Sequence, residues 1–170
     1  MRYGIINTKA GSIGAASTPA GILRLTLPQA SDSQAVEALG HGTSLDGQRD
    51  DDAFSELAER LHRYYQGDAV DFDDIPLDLS DSTPFQRQVL ERVRAIPRGS
   101  LVSYGVIAAQ VGRPGAARAV GAVMASNPVC IVVPCHRVVT SDGGLGGFGG
   151  GLPMKERMLI MEGALSATPA

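Results

Sequence analysis

Apolar positions recur along this chain with two different periods, and the change of period divides it. Over residues 3–7, 13–17 and 22–27, short apolar segments alternate with Gly and Pro breaks, which predicts three short strands joined by tight turns. A helix is predicted over 31–38, and residues 41–52, rich in Gly and Asp, read as a loop. From Ala53 the positions Phe54, Leu57, Leu61 and Tyr64 recur at helical spacing and predict an amphipathic helix packed on the sheet. His62 lies off that stripe and is expected at the surface. Residues 67–82 are acidic, broken by Pro76 and aperiodic, so they are expected to link two halves.

The second half opens with Thr83-Pro84-Phe85-Gln86, in which Thr caps a helix, Pro takes its first turn and Gln closes a capping box. Phe85, Val89, Leu90 and Val93 form the inward stripe of that helix, which stops before Pro97-Arg98-Gly99. Ser103 caps a second helix over 104–111, and after Gly112-Arg113-Pro114-Gly115 a third runs from Ala116 to about Ser126. Two short helices across a Gly/Pro turn make a helix-turn-helix candidate. At about 100° per residue, Gly121, Ala122 and Ala125 share a face with Arg118, while Ala116, Val120, Val123 and Met124 lie opposite. One face is core; the other is bare apart from one arginine. Such a face suits close helix packing, or close approach to a DNA groove with Arg118 entering the base stack. Asn127-Pro128 ends the helix. A last helix over 153–162 places Met154, Met158, Met161 and Glu162 near one face, with Glu162 opposing the helix dipole.

Charge sharpens the division. The chain has 170 residues and a formal net charge of −3, but residues 1–78 carry −7 and residues 79–170 carry +4. An acidic protein with a basic half permits a local nucleic-acid face. No signal-peptide or membrane-length apolar run occurs, so an intracellular, cytoplasmic protein without a membrane partner is expected. Residues 1–78 hold no cysteine and only His41 and His62, so no structural zinc and no other metal is expected. Gly144-Leu145-Gly146-Gly147-Phe148-Gly149 satisfies GxGxxG, yet too little chain follows for a dinucleotide fold. The loop reads instead as a pocket wall whose backbone approaches a ligand.

The candidate chemistry lies in Ile131-Val132-Val133-Pro134-Cys135-His136-Arg137-Val138-Val139. A Val/Ile run stopped by Pro predicts a buried strand with Cys135 and His136 at its mouth. A thiol needs a neighbouring base or cation to react near neutral pH. Adjacent strand residues point to opposite faces, so His136 serves Cys135 only if the chain turns sharply at Pro134. Cys130 and Cys135 would bracket a strand too extended for a disulfide, and Cys130 is expected in the core. A core cysteine that merely precedes a histidine is the alternative on these residues alone.

Pro134-Cys135-His136-Arg137-Val138 resembles the active-site motif of the O6-alkylguanine-DNA alkyltransferases, and the resemblance extends from about Thr83 to Gly163. It implies an N-terminal α/β half with a ribonuclease-H-like sheet (1–78) supporting a mostly helical half with a helix-turn-helix (79–170). It implies transfer of an alkyl group from O6-alkylguanine in double-stranded DNA to Cys135, once per molecule, by a monomer without a cofactor. O4-alkylthymine is a further candidate substrate. In that scheme Cys135 is the nucleophile, His136 its base, and Glu162 the group that orients His136, while Tyr104 donates to the flipped guanine. Met124, Val138, Phe148 and Gly149 match positions of the pocket, and Phe148 lacks the hydroxyl that relatives often carry there. Arg118 matches the residue that fills the gap left by the flipped nucleotide, within a DNA-contacting set of Ala116, Ala117, Gly121 and Ala122. Asn127 matches a residue that holds the turns before the active site. Two other readings stay open at this point. A non-catalytic sensor of alkylated DNA would use the same helix-turn-helix, and a cysteine hydrolase would use a Cys-His-Glu set with turnover.

Overall fold

The computed structural model describes residues 1–40 and 46–167, in two compact units: Met1–Leu79 with Pro128–Val132, and Ser80–Asn127 with Val133–Ala170. The first is α/β and the second mostly helical.

In the first unit β1 (Arg2–Thr8), β2 (Gly11–Thr18) and β3 (Gly21–Leu25) form an antiparallel meander. A short β4 (Gln48–Arg49) adds parallel to β1, so the sheet order is β3-β2-β1-β4. Neighbouring residues on a strand face opposite ways, and glycines let helices reach both faces. A Cβ on Gly14 would lie 2.6 Å from Leu39 of α1 (Asp32–Gly40). One on Gly4 would lie 2.8 Å from Phe54, which precedes α2 (Ser55–Tyr65). Gly14 pairs with Ile5, and Gly4 with Ala15, so the two contacts fall on opposite faces. Phe54, Leu57, Leu61 and Tyr64 are all buried, as their spacing predicts, and His62 is exposed with its ring against the Asn7 carbonyl.

Several segments differ from their sequence reading. The loop expected over 41–52 contains β4 and leads into a 3-10 turn, Asp51–Phe54, capped by the Asp50 side chain; His41 lies outside the described residues. Two residues of strand are too short for any periodicity to show. The expected linker is folded against β3: Ile22 N–H donates to Pro76 O at 2.8 Å, and Asp78 N–H to Ile22 O at 2.9 Å. Only glycine permits this, because a Cβ on Gly21 would sit 2.3 Å from the Pro76 oxygen. Backbone bonds make that pairing, so its side chains carry no apolar signature.

The strand expected over 131–133 is absent. Ile131 has φ 74°, and Val132 N–H bonds back to Cys130 O at 2.9 Å, a γ-turn that no strand can continue through. Residues 128–130 instead extend the first unit's edge, with Leu25 N–H on Pro128 O and Cys130 N–H on Leu25 O. Burial here is continuous through both turns, so the apolar run concealed the break. Cys130 is half-buried rather than in the core, because it lies on that edge.

In the second unit, α3 (Pro84–Arg94) starts with the predicted capping box: Thr83 Oγ1 accepts from Gln86 N–H, and Thr83 N–H donates to Gln86 Oε1. Val89, Leu90 and Val93 are buried, whereas Phe85 is half-buried beneath the Arg113 guanidinium. Ser103 caps α4 (Tyr104–Gln110), α5 spans Ala117–Ala125, and β5 (Val102–Ser103) pairs parallel with β6 (Val138–Val139). On α5 the two-sided pattern holds, with Val120, Val123 and Met124 buried and Arg118, Ala122 and Ala125 exposed. The inward stripe of α6 (Leu152–Met161) is Lys155, Met158 and Leu159, with Glu162 next; Met154 and Met161 are only half-buried. Apolarity pointed to the methionines, but hydrogen-bonding partners draw a lysine inward. Among the described residues no helix is long and apolar enough to cross a membrane.

Thr83→Ala should cost the unfolding transition that includes α3 about 1 kcal/mol, because it removes the hydroxyl that accepts from Gln86 N–H. Urea denaturation followed by circular dichroism checks this.

Candidate active site

Two successive tight turns aim the candidate nucleophile. Pro134 has φ −80° and ψ 67°, and Cys135 N–H bonds to Val133 O at 2.8 Å, an inverse γ-turn that proline's fixed φ favours. A 3-10 turn, Cys135–Arg137, follows, with Arg137 N–H on Pro134 O. Its three residues per turn send the three side chains in directions about 120° apart, rather than alternately up and down. Asn127 Nδ2 donates to Val133 O at 2.8 Å and closes the excursion of residues 128–132 at its base. Asn127 is itself buried, and the C-cap of α5 is Ser126, one residue earlier, so the Asn127 side chain closes this turn from just beyond the helix end.

Behind Cys135 lies a buried charged cluster. Glu162 Oε1 accepts from His136 Nε2 at 2.8 Å and from Arg137 Nη2 at 2.9 Å, and Oε2 accepts from Arg137 Nε at 2.9 Å. Arg137 Nη1 continues to the Ile96 carbonyl at 2.5 Å. The His136 side chain is 1% exposed and that of Glu162 is 0% exposed. Burial opposes ionisation of Glu162, but the donors of His136 and Arg137 hold its pKa well below the usual carboxylate range. Burial pushes His136 below its ordinary value, against the pull of Glu162. The contact is therefore a neutral imidazole donating to a carboxylate whose ion-pair partner is Arg137. Because Nε2 carries the proton, Nδ1 is the ring's basic nitrogen.

In front of Cys135 is a cavity of about 610 Å³. Tyr104, Arg118, Met124, Phe148 and residues 146–149 line it together with Cys135, which is 6% exposed. Tyr104, the first residue of α4, is half-buried, and its phenol pKa is raised by burial and by Cys135. Gly146 has φ 72°, and a Cβ there would sit 2.7 Å from the Tyr104 hydroxyl, so the wall needs glycine at this point.

The predicted residues divide by position. Tyr104, Ala117, Arg118, Gly121, Met124, Cys135, Phe148 and Gly149 line the cavity; His136 and Glu162 lie behind it, and Asn127 holds the turn. Ala116 precedes α5 and Ala122 is exposed on it, and neither lines the cavity. Val138 is fully buried in β6, and its carbonyl accepts from Lys155 Nζ at 2.6 Å.

Sequence reasoning missed four contributors. Arg137 was visible only as a neighbouring charge, although it supplies Glu162 with two hydrogen bonds. Lys155 and Glu162 stand i and i+7 around Met158 and Leu159, one face of a helix with a charge at each end, and that spacing is the signal that could have exposed Lys155. Thr140 and Ser141 line the cavity without any sequence signal. Among the described residues no group of three or more His, Cys, Asp or Glu side chains is arranged to hold a metal ion.

Comparison with known proteins covers both units. Residues 1–79 match the model of the 6-O-methylguanine DNA methyltransferase ribonuclease-like domain, and residues 84–164 match that of the same family's DNA binding domain. The methylated-DNA--protein-cysteine methyltransferase of Shigella flexneri is 48% identical over 109 residues, 64% of this chain and 63% of the relative. The relative of that name in Mycolicibacterium paratuberculosis is 50% identical over 110 residues, 65% of this chain and 66% of the relative. The matched stretch therefore spans slightly less than two thirds of these relatives' length. The crystal structure of Mycobacterium tuberculosis OGT in complex with DNA superposes with a TM-score of 0.82 at 35% identity, over 96% of this chain and 94% of that one. Two domain models of one family in series, and a fold shared along nearly the whole length, show that the chain belongs to the 6-O-methylguanine DNA methyltransferase family.

Proposed function

We propose that this protein repairs alkylated DNA by moving the alkyl group from O6 of guanine to the sulfur of Cys135, once per molecule. The observation that carries the reading is Cys135 lining a cavity, with the His136–Glu162–Arg137 cluster buried behind it. The sulfur attacks the alkyl carbon, a C–S bond forms, and the C–O bond breaks with its electron pair going to guanine. The thiol proton passes to Nδ1 of His136, through an intervening water, and the released guanine gains a proton. Tyr104 donates a hydrogen bond to the base at this stage, and its raised pKa keeps the phenol protonated. The thioether has no good leaving group, so the protein is spent. Direct displacement needs neither cofactor nor metal.

The target base lies within a duplex and must be extruded to reach the sulfur. The order α4, turn, α5 supports a DNA-binding helix-turn-helix, whose face of small residues, Ala117, Gly121 and Ala122, lets backbone approach a groove. Ala116 joins the DNA-contacting set from the cap position before α5, and Arg118 at the cavity rim fills the vacated stack. Met124, Phe148 and the backbone of Gly149 hold the base, whereas Val138, buried with its carbonyl on Lys155, supports the wall from behind. The sheet order β3-β2-β1-β4, with β4 parallel to β1, supports a ribonuclease-H-like sheet in residues 1–78, and residues 79–170 carry the chemistry. A monomer acting on intracellular DNA, where thiols stay reduced, completes the proposal.

Incubation with a short duplex containing O6-methylguanine should add one methylene's mass to each molecule. Fragmentation should place it on Cys135, and Cys135→Ser should bind the duplex without gaining mass. Modification of Cys130, or repeated turnover, would contradict the mechanism.

Arg118→Ala should slow transfer from duplex DNA by roughly tenfold or more, since extrusion costs a few kcal/mol, but leave attack on the free alkylated base nearly unchanged. Single-turnover rates on both substrates decide this.

The neutral state of His136 sets the pH dependence. Its folded pKa lies below the ordinary 6.5, so the transfer rate should be flat from neutrality upward and fall as acid protonates the ring. Glu162→Gln removes the anion that supports His136, so its rate should climb with pH where the parent's is flat. A pH–rate series on both proteins, with circular dichroism confirming the fold, measures the difference.

A further inference from the structure

Lys155 is 0% exposed, yet no carboxylate pairs with it among the described residues. Its ammonium donates instead to three carbonyls: Val138 in β6 at 2.6 Å, Leu145 at a very short distance, and Gly147 at 3.4 Å. Three N–H groups meet three acceptors, so the buried charge is matched by count. Burying an ammonium is costly, and a methionine on α6 would fill the same space without that cost. The charge is explained only by what it holds.

What it holds is the part of the cavity wall with least order of its own. Gly143, Gly144, Gly146, Gly147, Gly149 and Gly150 make this a segment of high backbone freedom. Turn hydrogen bonds secure its ends, between Thr140 and Gly144 and from Gly151 to Phe148. Between those ends, the hydrogen bonds of residues 145–147 are those to Lys155. Gly146, in the middle, is also the residue pressed against Tyr104.

We propose that Lys155 is a positioning residue for alkyl transfer: its ammonium ties the glycine wall to β6, and so keeps that wall closed against Tyr104 and the substrate pocket shaped. This rests on the reading of the site as an alkyl-transfer site. The groups facing Lys155 are consistent with a clamp. They are the three carbonyls, the Tyr104 ring 6.0 Å away, and Cys135, with the charge of Lys155 also felt at His136. Burial lowers the lysine pKa to about 8, against the pull of Cys135. Above that pH the neutral amine has two donors for three carbonyls, and the clamp weakens. Between about 8 and the ordinary 10.5 the unfolded chain binds more protons than the folded one, so this group's contribution to stability rises with pH. Loosening of the wall in that range is therefore local and not unfolding.

Hydrogen exchange of the intact protein, read peptide by peptide and corrected for intrinsic rates, tests the clamp. In Lys155→Met, exchange over residues 145–149 should rise about tenfold while α3 and α4 stay protected. The transfer rate at saturating O6-methylguanine duplex should fall about tenfold, with affinity for the duplex unchanged. In the parent, exchange over the same residues should increase from pH 7 to pH 9, and this decides the matter if the variant fails to fold. Unchanged wall exchange in the variant, or a parent wall insensitive to pH, would overturn the proposal. A slower variant with an unaltered wall would overturn it in favour of a purely electrostatic effect on Cys135. Because exchange is read without DNA, a protein that failed to transfer alkyl groups would refute the functional reading and leave the wall measurement standing.

Discussion

The candidate site depends on one buried carboxylate. Glu162 sits just past the end of α6, where the helix dipole disfavours an acid, and its side chain is out of contact with water. Three hydrogen bonds from His136 and Arg137 compensate it. Removing one member of such a cluster leaves an uncompensated buried charge, a loss of about 3–5 kcal/mol. The same carboxylate therefore ties the end of α6 to the Cys135–Arg137 turn and selects the tautomer of His136. Structural and chemical roles coincide in one atom group.

Around this cluster the backbone is shaped by turns rather than by long elements. An inverse γ-turn at Pro134, a 3-10 turn at Cys135–Arg137 and a γ-turn at Ile131 fall within seven residues. Ile131 is β-branched with positive φ, a conformation that costs about 1–2 kcal/mol. The segment tolerates it because both flanks are fixed: residues 128–130 by the bonds with Leu25, and Val133 by the side chain of Asn127. The turns at Pro134 and Cys135–Arg137 aim a thiol into a cavity, which a straight strand could not do while also sending the next side chain toward Glu162.

The cavity is held by contrasting means. Helices α4 and α5 contribute Tyr104, Arg118 and Met124 from rigid backbone, whereas the opposite wall is a glycine segment with few bonds of its own. In the proposed reaction, rigidity on the helical side suits stacking and groove contact. On the other side, glycine permits close approach, as the contact of Gly146 with Tyr104 illustrates. A Cβ on Gly147 or Gly149 would meet nothing within 4 Å, so glycine there leaves room rather than avoiding a clash.

Local order was legible in the sequence wherever it was encoded by side chains near in the chain. The capping box at Thr83, the Ser103 cap, the inward stripe of α2 and the two faces of α5 all depend on residues within one or two turns, and all are found as read. The motif Pro134–Val138 likewise located the thiol and its neighbours. Tertiary structure alone decided what those neighbours do. The false strand over 131–133 arose because burial was continuous while backbone direction was not, and hydropathy reports only burial. The folding of residues 76–78 onto β3 uses main-chain bonds, which any sequence can make. The interior roles of Arg137 and Lys155 were not legible because their partners, Glu162 and three carbonyls, lie 25, 17, 10 and 8 residues away in the chain. A sequence specifies which groups are available, but whether a charge is solvated or compensated in the interior depends on which distant atoms the fold brings to it.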